Sequence, residues 1–248
     1  MAYTYPEYRS FYVSKLGRRV VASLARRIGT MWPDVTGRHA LVIGYAEPWM
    51  DVLIKGAASS MVAFPARMGA AAWPACGPNR SSMVDPLELP LPDSSFDSIF
   101  VAHTLEHVMD PTAFLREIWR VLSPGGQVLF MVPNRMSMWA RSPRTPFDGG
   151  QPYSKGQLAH QLQKRSFAML GEEWAVHFPP TQTPVLSKAL EVIEGATARL
   201  YPRFGGVLMV LAEKRMLETR AQKSGKVRLY RPQPVAVPKT SHGVFPKN

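Results

Sequence analysis

Cysteine is nearly absent: Cys76 stands alone in 248 residues. One thiol excludes a disulfide framework and any site built from several cysteines. Long apolar runs are lacking too. None approaches the roughly 18–20 residues that a membrane-crossing helix needs, and no short apolar core follows the first residues in the manner of a secretory signal. The expectation is a cytoplasmic protein with no transmembrane segment. Acidic residues are missing from one place above all. Nothing acidic follows Glu218, whereas Arg220, Lys223, Lys226, Arg228, Arg231, Lys239 and Lys247 do. Those seven cations make up more than half of the net charge of +12. The same stretch holds Pro232, Pro234, Pro238 and Pro246 and shows no apolar periodicity. It cannot bury enough surface to offset its ordering entropy. Residues 217–248 therefore read as a basic, disordered tail, either an arm for RNA or an acidic protein partner or a solubilising appendage.

Residues 1–216 read as one domain, and with 46% hydrophobic residues overall the chain can build a sizeable core. Helical spacing of Phe11, Tyr12, Leu16, Val20, Leu24 and Ile28 predicts an N-terminal helix at about 7–28 that packs on the core. Its basic face carries Arg9, Lys15, Arg18, Arg19, Arg26 and Arg27. Further on, apolar runs alternate with helical stretches, which predicts an α/β sheet of mainly parallel strands. Expected strands are His39–Gly44, Ser60–Phe64, Ser82–Val84, Phe96–Ala102 and Gln127–Val132, with a closing antiparallel pair near Trp174–Phe178 and Gly206–Ala212. The clearest helix is Pro111–Leu122. Asp110 suits the N-cap, Pro111 the first helical position, and Phe114, Leu115, Ile118 and Leu122 share one face. Pro124-Gly125-Gly126 should end it.

The segment Leu89–Asn134, LPLPDSSFDSIFVAHTLEHVMDPTAFLREIWRVLSPGGQVLFMVPN, carries several motifs in order. It resembles the second half of a class I S-adenosylmethionine-dependent methyltransferase domain of the type 11 kind. That family has an L-P-x-x-D-x-S-F-D run into strand four, a loop with an L-E-H motif, a helix, and then L-x-P-G-G into strand five. The resemblance implies a Rossmann-like, seven-stranded and mostly parallel sheet with helices on both faces, and S-adenosylmethionine as cofactor. It also assigns residues. Gly44, Tyr45 and Ala46 fall on the loop after strand one, where the family has a glycine-rich turn that lets backbone approach the cofactor. Only Gly44 of that pattern is kept, and Val42 stands where an acid is expected. Strand two should end in an acid for the ribose hydroxyls, but Pro65 follows instead. Asp85 and Pro86 match the strand-three segment that reaches the adenine amino group. Ala102, His103 and Thr104 map beside the methionine part. A valine at Gly44 is expected to block the cofactor by bulk, with little effect on the strand.

His103-Thr104-Leu105-Glu106-His107 also reads as H-x-x-E-H, an inverted zinc-protease signature. That chemistry needs a continuous helix. A strand runs into this motif and Asp110-Pro111 restarts a helix just after it, so no metal is expected. For the acceptor, His107 and the loop Pro133–Tyr153 with Arg135, Trp139 and Arg144 are the expected contacts. Arg beside aromatics suits RNA or an anionic small molecule. Two functions follow: a methyltransferase of unknown acceptor, with a small activating partner subunit as one option, or a catalytically inactive methyltransferase-like binding or assembly module.

Overall fold

In the computed structural model, residues 3–143, 145–181 and 200–216 are described. The expected tail, 217–248, and Arg144 lie outside them. The sheet has seven strands in the order β3-β2-β1-β4-β5-β7-β6. These are β1 (His39–Gly44), β2 (Ser59–Pro65), β3 (Ser81–Val84), β4 (Phe96–Ala102), β5 (Leu122–Pro133), β6 (Phe167–Ala175) and β7 (Val207–Lys214). Pairing is parallel from β3 through β5. Strand β7 alone runs against its neighbours, β5 and β6.

Alternation along the strands builds two cores. Val42, Phe100 and Met131 face one way, onto α1 (Tyr5–Val13), α2 (Lys15–Met31) and the short α3 (Met50–Leu53). Leu41, Ile43, Ile99 and Val101 face the other, onto α4 (Pro111–Val121) and α5 (Lys155–Lys164). Helix α4 forms as its sequence predicts. The Asp110 carboxylate accepts from the amides of Thr112 and Ala113, at 2.9 and 3.0 Å, and Phe114, Leu115, Ile118 and Leu122 are fully buried.

Four expectations are corrected. The N-terminal helix is two helices. Ser14 leaves the helical region and its side chain caps α2 by accepting from the Gly17 amide. The corner is tight, since a Cβ on Gly17 would lie 1.9 Å from the Phe11 carbonyl oxygen. Pro124-Gly125-Gly126 does not separate helix from strand by a loop; the strand starts at Leu122, and the pairing of β4 with β5 shifts register between Phe96 and Ser98. The sixth strand ends at Ala175 rather than starting near it. Helix α5 was not expected; a reciprocal Ser154–Gln157 cap starts it.

The family-like motif before β4 is a clamp. The Arg120 guanidinium donates to the carbonyls of Leu89 and Leu91 and to Asp93, at 2.8, 2.7 and 2.7 Å. Glu117, paired with Arg120, accepts from the Leu89 amide. Arg120 and that amide hold the Glu117 carboxyl below its usual range. This ties α4 to the loop that launches β4, and so fixes where β4 ends.

Candidate active site

Strand order reverses between β1 and β4, and ligands of such sheets bind beyond the carboxyl ends of the strands at that point. A cavity of about 250 Å³ opens there. Its walls include Pro65 after β2, Asp85 and Pro86 after β3, and His103, Thr104 and His107 after β4. Asp85 is on the exposed rim, and one of its oxygens accepts from the Leu87 amide at 2.9 Å. Five of the nine residues expected at the cofactor thus line one cavity, and so does His107, expected at the acceptor.

Gly44, Tyr45, Ala46 and Ala102 are not among its lining residues. Tyr45, Ala46 and Ala102 share the core that α1 packs on. Tyr8 and Tyr12 of α1 are 0% and 3% exposed. Both stack on Tyr45, with centroids 5.3 and 5.4 Å apart and interplanar angles of 20° and 6°. Burial pushes both phenols well above their usual pKa, so they stay protonated. The Tyr12 hydroxyl lies 2.7 Å from His103 Nε2, and the Tyr8 hydroxyl 3.1 Å from His107 Nε2. Tyr5 adds a bond to Glu47 at 2.7 Å, and burial together with that carboxylate pushes its phenol up to about 12.

Gly44 has a structural duty. Its φ is +89°, and a Cβ there would sit 1.9 Å from the Ala102 carbonyl oxygen and 2.4 Å from Thr104 Oγ1. Only glycine lets the ends of β1 and β4 come this close. A valine would break the strand packing first, contrary to the expectation.

His103 is buried and left-handed, with φ +53°. A non-glycine residue there costs about 1–3 kcal/mol, and such outliers concentrate at functional sites. Its Nδ1 is 3.4 Å from Glu106 Oε1, an ion-pair distance without hydrogen-bond alignment. Glu106 is 2% exposed, and neither carboxylate oxygen has a hydrogen-bond partner. His107 is pushed down, chiefly by burial. Residues 103–107 form turns, not the helix a zinc site would need. Among the expected acceptor residues, Arg135 is exposed and lines a separate cavity of about 380 Å³ with Tyr153 and Gln157. Trp139 is a correction: it is 2% exposed, and its indole N–H donates to the Phe178 carbonyl at 2.6 Å. It anchors the loop. The sequence reading missed Tyr8 and Tyr12 as site residues, although their spacing with Tyr5 marks one helix face.

A family model described as a methyltransferase domain matches residues 64–130. The sheet thus has the fold of class I S-adenosylmethionine-dependent methyltransferases, and residues 64–130 match that domain in sequence. A protein of Mycolicibacterium smegmatis named a probable methyltransferase of this kind is 44% identical over 62 residues, 24% of either chain. A demethylmenaquinone methyltransferase of Deinococcus radiodurans is 45% identical over 47 residues, 19% of this chain and 20% of the relative. The matches thus span about a quarter or less of those relatives' length. A solved Thermotoga maritima S-adenosylmethionine-dependent methyltransferase superposes over 85% of this chain and 95% of its own, with TM-score 0.61 and 17% identity. A methyltransferase solved in complex with the Haloferax volcanii Trm112 methyltransferase activator does so over 86% and 95%, with TM-score 0.60 and 15% identity. The methyltransferase fold implies S-adenosylmethionine as cofactor. The residues present fit its nucleoside half, through the cavity beside Asp85. Beside that cavity, α1 seats Tyr8 and Tyr12 over the loop after β4 and covers its mouth on that side.

Proposed function

We propose that this methyltransferase binds S-adenosylmethionine at the carboxyl ends of β2, β3 and β4 and transfers its methyl group in the cytoplasm. The observation that carries the reading is the cavity at the strand-order switch with Asp85 on its rim. Bound there, the cofactor supplies an electrophilic methyl group. The chain's own residues bind, orient and exclude water. Asp85 would accept from the nucleoside base, Pro65 and Pro86 would lie beside it, and His103 and Thr104 would serve the reactive end. Helix α1 covers that end, so full binding requires α1 to withdraw about the Ser14 corner.

Calorimetric titration of the full chain with S-adenosylmethionine and S-adenosylhomocysteine tests this. Saturable heat and a raised melting temperature are expected. No heat and no thermal shift at millimolar cofactor would sink the enzyme. The seated tyrosines favour one second reading, an inactive module whose site α1 keeps permanently covered, and that null result would be its signature. The basic segment 217–248 is proposed to hold RNA or an acidic protein. Its deletion should weaken such binding and flatten the salt dependence. A small activating subunit is a further option, supported by the Trm112-bound relative of this fold.

A further inference from the structure

Three polar groups line up between α1 and the loop after β4. The Tyr12 phenol lies 2.7 Å from His103 Nε2, and His103 Nδ1 lies 3.4 Å from the Glu106 carboxylate. That carboxylate is nine-tenths buried and has no hydrogen-bond partner. Leaving a buried carboxylate unsatisfied is costly. The imidazole stands in front of it at ion-pair distance, the arrangement in which a carboxylate orients an imidazole that acts as a base. The slot in front of Nε2 is flat. Tyr45 stacks on the Tyr12 ring, and Tyr8 and Phe147 flank His103, with ring centroids at 4.5 and 5.4 Å. What fills it is a phenol carried in on a helix.

We infer that this slot is the acceptor site, that the acceptor is a neutral aromatic hydroxyl compound, and that Tyr12 holds its place while α1 is seated. The inference rests on the proposed methyl transfer. A phenol, with an ordinary pKa of about 10, is a poor nucleophile near neutral pH and needs a base within about 2.6–3.2 Å of its oxygen. His103 stands at that distance from a phenol already. An anionic acceptor would meet the field of Glu106. A cationic amine would want that carboxylate facing it, but the imidazole stands between. In the step, an O–CH3 bond forms at the acceptor oxygen and the S–CH3 bond of the sulfonium donor breaks, its electron pair staying on sulfur. The phenolic proton passes to His103 Nε2. His103 is then the catalytic base, and Glu106 a positioning residue that acts through it.

The first test needs no cofactor. Tyr12→Ala vacates the slot in the full chain, with 4-nitrophenol as probe and 4-nitroanisole, its methyl ether, as control. The expected result is saturable binding of the phenol, which can donate to His103 Nε2, and binding of the ether about 5-fold weaker or more. Adding His103→Ala should bring the two to equal affinity. Equal binding of phenol and ether in Tyr12→Ala itself overturns the inference. The second test uses the parent chain, should Tyr12→Ala not fold. With S-adenosylmethionine and a panel of simple phenols and aromatic amines, methyl ethers are expected. His103→Gln should lower kcat/KM about 100-fold or more, while Glu106→Gln moves the pH limb and leaves KM for the phenol nearly unchanged. Methylation of amines and not phenols overturns it. Calorimetry separates the two failures: no cofactor binding sinks the methyltransferase reading, whereas cofactor binding without use of phenols sinks only this one.

Discussion

Replacing Gly44 with alanine should damage the fold before it touches any ligand. The added Cβ would lie 1.9 Å from the Ala102 carbonyl oxygen, where a real Cβ keeps at least about 3 Å. The obstacle is backbone on the neighbouring strand, paired in register Gly44 to Ala102, so no side chain can swing away. Opening the pair by about 1 Å at the centre of the sheet is an overpacking cost of about 1–3 kcal/mol. The left-handed φ of +89° adds about 1–2 kcal/mol for any residue with a Cβ. Together these remove roughly 2–5 kcal/mol from a stability that for most domains is about 5–15 kcal/mol. At about 2–4 °C per kcal/mol for a domain of this size, the melting temperature should fall by roughly 4–20 °C. Gly37→Ala is the control. It too has positive φ, but nothing lies within 4 Å of its Cβ position, so only the backbone term applies. Thermal and urea unfolding of the two variants decide the matter. If Gly44→Ala melts no lower than Gly37→Ala, the close approach of β1 and β4 is not what selects glycine there.

Three further outcomes follow from the packing. Gly29 is exposed near the end of α2 with open space around it, so Gly29→Ala should stabilise by about 0.5–1 kcal/mol, read as a higher urea midpoint. Arg120→Ala strips the clamp before β4 and leaves Glu117, 8% exposed, without its cation. It should cost about 2–3 kcal/mol, and an unchanged midpoint would refute the clamp. The Glu117 carboxyl is held below its ordinary 4.5, so its contribution is fully present above that value and is lost as pH falls through the lowered one. Glu117→Gln should therefore lose less stability than the parent between pH 6 and pH 3.

What could be read from the sequence was local. Strands β1 and β4 announce themselves as short apolar runs buried on both faces, and helix α4 by the helical spacing of its buried residues. The start of β5 was hidden, since Pro-Gly-Gly reads as a stop, and only the partner strand shows that pairing resumes at Leu122. Strand β6 was displaced because Leu170 through Trp174 are exposed or half-buried and give no apolar run. Half the site followed the same rule. Asp85, His103 and His107 sit at strand ends that motif order could locate. The other half comes from α1, whose tyrosines meet the sheet through contacts spanning 91 and 99 residues. No local pattern states such a contact. Nor does it reveal that Gly44, read as a cofactor glycine, is needed by the neighbouring strand.

Those long spans also set an order of assembly. Helix α1 is synthesised before the sheet it covers, yet the groups that bond its tyrosines lie on the loop after β4. Until that strand is made and paired, Tyr8 and Tyr12 have no imidazole to meet, and a nine-residue helix is too short to persist alone in water. The segment that closes the cleft is thus synthesised before its partners and docks only after them, and the nascent domain passes through a stage with its site uncovered.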